Sequence, residues 1–264
     1  MNLEQLCNSV NIIAREAGSF IREEGKKFKS SSIEHKGMND LVSYVDKNAE
    51  QMIVNSLQPL IEDAGFITEE NTSNITGKRY QWIIDPLDGT TNFVHGLPPY
   101  CVSIGLTDNG KLCLGVIYEI NLDECFYAWR NGGAWMNGKR IYVSEKNALN
   151  DSLLATGFPY TNFSRMKPYM EVFDYCMRYT HGLRRLGSAA VDIAYVACGR
   201  FEGFYEYGLN AWDVAAGAFI VEEAGGKVCD FNGGDNFLFG KEIITTNKGI
   251  YEEFLEVVKE KFSA

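Results

Sequence analysis

The sequence predicts a mixed α/β protein (α+β in its first part) with an α+β lobe over residues 1–150 and an α/β lobe over residues 151–264. Three observations support this. An amphipathic helical repeat opens the chain, short strands separated by glycine-rich turns follow, and strands alternate with helices after Asp151. Because no low-complexity linker separates the lobes, we expect them to pack as layers of one unit.

The first lobe begins with apolar residues at helical spacing over residues 3–24, with Gly25 as the expected stop. A polar stretch, 26–39, is predicted to be a loop or an irregular hairpin. The remaining elements are a second helix over 42–57, a short strand over 66–68, a continuous apolar strand over 80–84, and an antiparallel meander over 100–144.

The second lobe is predicted from alternating apolar strands and capped helices. Ser188 caps one helix, and Asn210 caps another whose N3 position is Asp213, an arrangement that resembles a capping box. Strands are expected at 153–156, 183–186, 201–207, 227–231 and 242–246, and helices at 167–179, 189–198, 211–224 and 250–262.

Composition restricts the function. The chain has 264 residues, of which 45% are hydrophobic and 23% are charged, which are ordinary globular values. Its net charge of −10 disfavours direct binding to nucleic acid or to anionic membranes. No apolar run approaches the roughly 20 residues of a membrane helix, and no basic segment precedes an apolar one at the N-terminus.

The seven cysteines are odd in number, scattered and free of any CxxC spacing. This pattern favours reduced, buried thiols over a zinc site or a disulfide framework. We therefore expect a cytoplasmic protein.

Residues 82–92, Trp-Ile-Ile-Asp-Pro-Leu-Asp-Gly-Thr-Thr-Asn, carry the strongest chemical signal. The apolar strand ends in two carboxylates, Asp85 and Asp88. Hard cations such as Mg²⁺ bind carboxylate oxygens, carbonyls and water. Phosphate binds backbone N–H groups at turns and helix starts, which the following Gly-Thr-Thr offers. The segment indicates phosphate chemistry on a metal, although Asp-Pro-x-Asp-Gly also occurs as an ordinary turn.

A metal site needs further oxygen ligands from elsewhere in the chain. Glu69 follows a strand and Asp213 lies in the first turn of a helix. Each has a plain alternative, because a Glu-Glu pair is commonly a solvated surface and an acidic N3 residue stabilises a helix end. The residues alone leave both alternatives open.

The resemblance of two longer motifs to a known family favours the metal-ligand interpretation of Glu69 and Asp213. Trp82–Pro98 (WIIDPLDGTTNFVHGLP) and Ala211–Gly226 (AWDVAAGAFIVEEAGG) closely resemble the two signatures of the inositol monophosphatase family. Segments 40–46, 68–70, 156–160 and 184–190 also fit, so the resemblance covers nearly the whole chain. It implies a lithium-sensitive, Mg²⁺-dependent phosphatase with the layered α/β/α/β/α sandwich of the inositol monophosphatase/fructose-1,6-bisphosphatase type.

The resemblance implies a ligand set for two to three Mg²⁺ ions. Glu69, Asp85 and the carbonyl of Leu87 would hold the first ion, and Asp85, Asp88 and Asp213 the second, while a third, weaker ion would depend on Glu69. Asp46 and Thr90 would orient and deprotonate the attacking water, with Glu69 also counted as catalytic. Without the resemblance, Asp46 would be interpreted as part of a solvated helix face.

The resemblance also implies substrate contacts. Backbone N–H groups of Gly89 and Thr90 would bind phosphate, and substrate hydroxyls would meet Glu206 and Asp213 among others. The full implied set of substrate-binding residues is Glu69, Leu87, Asp88, Gly89, Thr90, Arg184, Ser188, Ala189, Glu206 and Asp213. The walls at 158–160 and 184–188 would select the substrate.

Two positions depart from the family pattern or fit it loosely. The chain has Asn210-Ala211 where animal members have His-Cys before the Trp-Asp pair, which alters the pocket wall. Lys36 matches a family lysine near the metal site, in a stretch that is otherwise divergent. His95 is interpreted as structural, and Trp82, Cys101 and Trp212 as core residues.

The expected function is hydrolysis of a small polyol phosphate, with myo-inositol 1-phosphate first. Fructose-1,6-bisphosphatase, histidinol-phosphatase and 3′-phosphoadenosine 5′-phosphate phosphatase activities are alternatives on the same site. Some bacterial family members also bind transcription or ribosome-assembly machinery, so a non-catalytic partner role is a further alternative. The family resemblance implies a homodimer.

Overall fold

A computed structural model describes residues 1–28, 33–37, 40–73, 75–160 and 162–263, with the backbone alone at 33–37 and 40–42. The helices are α1 (Leu3–Gly25), α2 (Tyr44–Leu57), α3 (Thr90–Val94), α4 (Met166–Tyr179), α5 (Ala189–Ala197), α6 (Ala211–Glu223) and α7 (Tyr251–Phe262).

The strands fall into three sheets. A two-stranded antiparallel hairpin consists of β1 (Ile33–Gly37) and β2 (Asp40–Ser43). A seven-stranded sheet, in chain order, consists of β3 (Gly65–Thr68), β4 (Tyr80–Asp88), β5 (Cys101–Asp108), β6 (Lys111–Glu119), β7 (Glu124–Trp129), β8 (Gly133–Met136) and β9 (Lys139–Arg140). A five-stranded sheet has the order β11 (Gly182–Arg184), β10 (Leu153–Thr156), β12 (Gly203–Tyr207), β14 (Glu242–Thr246) and β13 (Lys227–Cys229).

Helices and sheets alternate as five layers. α1 and α2 cover one face of the seven-stranded sheet, and α5 and α6 pack against its other face. The five-stranded sheet follows, and α4 and α7 pack together on its far side. Three separate apolar cores fill the interfaces between these layers. The arrangement confirms the layered α/β/α/β/α sandwich.

α6 packs between the seven-stranded and five-stranded sheets and so joins the two halves of the chain. This helix is apolar on all sides, which is typical of a helix buried between two layers. It contacts β4–β8 on one side and β13 and β14 on the other. Its glycine at position 217 meets Ile193 of α5, where an added Cβ would lie 2.7 Å from a side-chain atom, so the two central helices pack closely.

The predicted elements agree with the structure, with small shifts at their ends. Gly25 is the last residue of α1 rather than the residue after it, and Lys26 forms the C-cap. The meander has the predicted antiparallel order. β1 lies in the stretch 26–39 predicted as a loop or hairpin, but β2 lies beyond it and includes Val42 and Ser43, which were predicted to begin the second helix. All seven cysteines are free thiols, six of them buried. No helix in the described ranges combines the length and apolar character needed to cross a membrane.

Candidate active site

A β-bulge brings Asp85 and Asp88 together at the end of β4. Side chains three positions apart in a regular strand point to opposite faces. Here Asp85 pairs with Ser103 and Asp88 pairs with Cys101, so β4 contains one extra residue. The N–H of Leu87 donates to Asp85 Oδ1 at 2.9 Å across the bulge. The bulge thus allows both carboxylates to reach one point.

Asp213 reaches the same point from the second half of the chain. It lies in the first turn of α6, and its Oδ2 accepts the N–H of Asn210 at 2.6 Å, as the predicted capping arrangement requires. One carboxylate oxygen from each of Asp85, Asp88 and Asp213 lies within 4.8 Å of the other two. The capping interpretation and the metal-ligand interpretation of Asp213 are therefore compatible.

The crowding of these carboxylates shifts their pKa values. Burial is the largest cause for Asp85, and the neighbouring Glu69, Asp88 and Asp213 add to it, so its pKa lies well above the usual range. Burial and the charge of Asp88 raise the pKa of Asp213 to about 7. Such a cluster is unfavourable without positive charge. Its all-oxygen donor set suits a hard divalent cation, so the residues fit Mg²⁺.

Glu69 lies beside this cluster, directly after β3. Its N–H donates to the carbonyl of Ile84 at 3.3 Å, extending the parallel β3–β4 ladder by one residue. The Glu69 carboxylate is half-buried, lines the cavity and interacts with Asp85 by charge and by a hydrogen bond.

The Thr90 hydroxyl connects residues 85–90, which carry Asp85 and Asp88, to Asp46 on α2. The Thr90 hydroxyl lies 2.9 Å from Asp46 Oδ1 and 2.9 Å from the carbonyl oxygen of Leu87. Asp46 Oδ2 accepts the N–H of Ser43 at 2.9 Å and its hydroxyl at 2.6 Å. Burial raises the pKa of Asp46, while these hydrogen bonds oppose the rise. Asp46 is 1% exposed, so it is not part of a solvated helix face.

The start of α5 holds Asp88. Asp88 Oδ2 accepts the hydroxyl of Ser188 at 2.5 Å and the N–H of Ala190 at 2.8 Å. Burial raises the pKa of Asp88, and these donors oppose the rise. Because α5 belongs to the second half of the chain, this contact fixes Asp88 and its neighbouring residues against that half.

A cavity of about 300 Å³ opens above these residues. Gly89 lies on its floor with φ +90°, and a Cβ there would lie 3.0 Å from the carbonyl oxygen of Pro99, so glycine is required. Most of the predicted site residues line the cavity: Glu69, Asp85, Leu87, Asp88, Gly89, Thr90, Ser188, Ala189, Glu206 and Asp213. Asp46 is not among its lining residues in the described chain and touches the site through Thr90.

Arg185, and not the predicted Arg184, lies on the cavity wall. Arg184 is exposed, lies outside the lining found among the described residues, and donates to the carbonyl of Leu183. Arg185 donates to the hydroxyl of Tyr160 at 2.8 Å and lies over the Phe158 ring, 5.3 Å from its centroid. β11 ends at Arg184, so Arg185 lies just beyond the strand, and two consecutive arginines gave the sequence no basis for choosing between them.

Asp192 and Trp212 are among the lining residues that were not anticipated. Asp192, 1% exposed, lies one turn into α5, and its Oδ1 has no hydrogen-bond partner within the described chain. Trp212, expected in the core, is half-buried and lines the cavity beside Asp213. A buried acid in the apolar sequence of α5 was the available signal for Asp192. The side chain of Lys36 lies outside the described residues.

Comparison with known proteins defines the class. A model of the inositol monophosphatase family matches residues 2–262. An inositol-1-monophosphatase of Mesorhizobium japonicum is 38% identical over 98% of both chains. The Nus factor SuhB of Salmonella typhimurium is 39% identical over 95% of this chain and 94% of that protein.

A solved structure supports the same assignment. The extragenic suppressor protein suhB from Bartonella henselae superposes with a TM-score of 0.92 at 38% identity, covering 97% of this chain and 99% of that one. The chain therefore belongs to the inositol monophosphatase family, a family of phosphatases. Its relatives carry both names, inositol-1-monophosphatase and SuhB.

Proposed function

We propose that this protein is a Mg²⁺-dependent phosphomonoesterase that hydrolyses a small polyol phosphate, with myo-inositol 1-phosphate as the first candidate. The observation that carries the proposal is the convergence of Asp85, Asp88 and Asp213 within 4.8 Å at the floor of a cavity. Family membership supports phosphatase chemistry, and the site supports a metal.

Glu69, Asp85, Asp88, Asp213 and the carbonyl of Leu87 would hold two to three Mg²⁺ ions. Bound there, Mg²⁺ supplies the positive charge that binds phosphate oxygens, acidifies a water and stabilises the leaving oxygen. The Leu87 carbonyl oxygen lies 2.9 Å from the Thr90 hydroxyl, next to the acidic cluster.

Thr90 and Asp46 would orient the attacking water and accept its proton. The Thr90 hydroxyl donates to Asp46, which leaves the hydroxyl oxygen able to accept a hydrogen bond from a water in the cavity. As the water loses its proton, Thr90 can pass a proton to the buried Asp46 carboxylate. Ser43 fixes the other oxygen of Asp46, so the carboxylate keeps its orientation. Its raised pKa favours proton acceptance.

The remaining cavity residues would position the substrate. Backbone N–H groups of Gly89 and Thr90 would bind phosphate oxygens, and Glu206, Asp88 and Asp213 would accept hydroxyl donors. The start of α5, Ser188 and Ala189, forms another contact surface. Arg185 takes the place proposed for Arg184 at the substrate wall because it lines the cavity.

A substrate panel tests the proposal. Purified protein in excess Mg²⁺ is assayed for phosphate release from myo-inositol 1-phosphate, fructose 1,6-bisphosphate, histidinol phosphate and 3′-phosphoadenosine 5′-phosphate, with and without Li⁺. The proposal expects Mg²⁺-dependent, Li⁺-inhibited release that is fastest from the inositol ester. Faster release from another ester would assign that alternative, and no release from any ester would refute the proposal.

A partner role in transcription or ribosome assembly is the second candidate function. The observation that favours it is the name Nus factor SuhB carried by a relative 39% identical to this chain. Both roles can coexist, because different surfaces would carry them. Proteins that co-purify equally with wild-type protein and with an inactive Asp88→Asn variant, but not with a surface variant, would support it.

We also propose a cytoplasmic homodimer, as the family resemblance implies. Sedimentation velocity on the purified chain tests the oligomeric state, and a single species at the monomer mass of 29.6 kDa would refute the dimer.

A further inference from the structure

Glu50 is a fully buried carboxylate on α2, one helical turn after Asp46. We propose that Glu50 is a positioning residue that holds the Glu69 segment in the orientation needed to bind metal. The inference rests on the proposed metal site but concerns a residue that does not line the cavity in the described chain.

Both oxygens of Glu50 are engaged by the segment that follows Glu69. Oε2 accepts the N–H of Glu70 at 2.8 Å, and Oε1 accepts the N–H and the hydroxyl of Thr72, each at 2.8 Å. Hydrogen bonds to an ionised acceptor are roughly twice as strong as neutral ones. The loop is therefore attached to α2 by three such bonds on one carboxylate.

The loop backbone is shaped around this carboxylate. Asn71 adopts φ +55°, a left-handed conformation that Asn tolerates better than most residues. This conformation turns the N–H groups on either side of Asn71, those of Glu70 and Thr72, toward the same side of the chain. Successive N–H groups in such a turn form an anion-binding concavity, and here the anion is the side chain of Glu50.

Two backbone hydrogen bonds, here called anchors, fix the chain at Glu69 and at the next residue. The N–H of Glu69 donates to Ile84 of β4, and the next N–H, from Glu70, donates to Glu50. The first anchor ties the residue to the strand that carries Asp85. The second sets the direction in which the chain leaves the strand, and so the direction of the Glu69 side chain toward Asp85.

α2 thereby supports the site at two points with two acids on one face. Asp46 and Glu50 are separated by four residues, so they lie on the same side of the helix. Asp46 binds Thr90 in the Asp85–Thr90 loop, and Glu50 binds the loop after Glu69. Both segments that carry metal ligands in the first half of the chain are held by this one helix.

Glu50→Gln tests the role, because the amide keeps the shape but sets an NH₂ group against a backbone N–H. Glu223→Gln is a matched control. Glu223 also holds two N–H groups two residues apart, Asn131 at 3.0 Å and Gly133 at 2.7 Å, in a turn away from the cavity. Mg²⁺ binding is measured by calorimetry on each protein, together with the melting temperature.

Glu50→Gln is expected to raise the Mg²⁺ dissociation constant of one or more sites by about tenfold. This is the lower end of the range for residues that orient metal ligands. Glu223→Gln is expected to lower the melting temperature and leave Mg²⁺ affinity unchanged. Turnover by Glu50→Gln should recover as Mg²⁺ is raised, which loss of folded protein would not produce. If Glu50→Gln does not fold, Thr72→Val provides the test. Loss of one hydrogen bond to Glu50 is expected to weaken Mg²⁺ binding by about threefold.

Wild-type Mg²⁺ affinity in Glu50→Gln, or equal weakening in both glutamine variants, would overturn the inference. The readout is separate from catalysis. Wild-type protein that binds Mg²⁺ but releases no phosphate would refute the proposed function and leave the role of Glu50 standing.

Discussion

The hydroxyl of Ser188 donates to Oδ2 of Asp88 at 2.5 Å, across a sequence separation of 100 residues. The same hydroxyl oxygen accepts the N–H of Val191 and caps α5. The Ser188 side chain therefore caps a helix and also orients a carboxylate of the proposed metal site. The Ser188–Asp88 hydrogen bond therefore joins residues from both halves of the chain at the candidate site, and its effects on stability and metal binding can be measured.

Ser188→Ala should lower both stability and metal affinity. Loss of the helix cap costs about 1 kcal/mol, and loss of the donor leaves Asp88 less well oriented. We expect a melting temperature lower by about 2–4 °C and a Mg²⁺ dissociation constant higher by about tenfold. Asn2→Ala removes the cap of α1, where Asn2 accepts the N–H of Gln5, and should reproduce only the thermal effect. Equal Mg²⁺ dissociation constants for Ser188→Ala and Asn2→Ala would contradict the role of Ser188 in orienting Asp88.

Gly157→Ala should act on the substrate and not on the fold. A Cβ at this position would lie 2.0 Å from Oε2 of Glu206, the flexible end of a side chain. Glu206 must then leave its present position on the cavity wall. We expect KM to rise by about tenfold, corresponding to about 1.4 kcal/mol of lost binding, with little change in melting temperature.

The comparison for this variant is Glu206→Ala, which removes the same contact directly. Similar KM values in the two variants would support displacement of Glu206. A Gly157→Ala enzyme with wild-type KM would show that Glu206 does not contact substrate.

The two consecutive arginines provide a matched pair. Arg185→Ala removes a cation from the cavity wall and should raise KM by about tenfold, because charged hydrogen bonds to a substrate are commonly worth that much. Arg184→Ala removes an exposed side chain and should change KM by less than about twofold. Steady-state kinetics on the preferred ester measures both. The opposite order of effects would restore the original assignment of Arg184.

Metal binding should depend on pH through Asp213. Its pKa is raised from 3.8 to about 7 in the metal-free protein, so below pH 7 a proton occupies the site and must leave when Mg²⁺ binds. Apparent Mg²⁺ affinity should therefore fall by up to about tenfold per pH unit below 7 for this one proton. Calorimetry in buffers of different ionisation enthalpy counts the protons released, and zero release at pH 6 would contradict the shift.

The same shift predicts the stability of the metal-free protein. Because the folded-state pKa of Asp213 lies above its unfolded value, the stability that protonation contributes is complete below about pH 4. It is lost as the pH rises through about 7. Added Mg²⁺ should restore stability most strongly at the upper end of this range. If the melting temperature of the metal-free protein rises between pH 5 and pH 8, this would argue against the raised pKa of Asp213.

Much of the fold was predictable because its signals are local. Helix periodicity, the Ser188 and Asn210 caps and the glycine-rich turns each depend on a few neighbouring residues, and the observed elements agree with them. The family resemblance supplied the order of the layers.

The site was less predictable because its geometry depends on contacts across the chain. Regular alternation would have separated Asp85 from Asp88, and only the β4–β5 register shows the bulge that unites them. Consecutive arginines could not be assigned to a strand face without the end of β11 being known. Neither Glu50 nor Asp192 was assigned a role from the sequence, and the burial of their carboxylates becomes visible only once the layers are packed.

In the proposed function, carboxylates from both halves of the chain form one metal site for phosphate ester hydrolysis. The most direct measurement is Mg²⁺-dependent phosphate release from myo-inositol 1-phosphate by wild-type protein and by Asp213→Asn. Asp174→Asn serves as a control, because Asp174 is an exposed acid paired with Arg178 on α4. We expect the wild type and the control to be equally active, and Asp213→Asn to fold and lose activity by at least about 100-fold. A folded Asp213→Asn variant with wild-type turnover would contradict the claim.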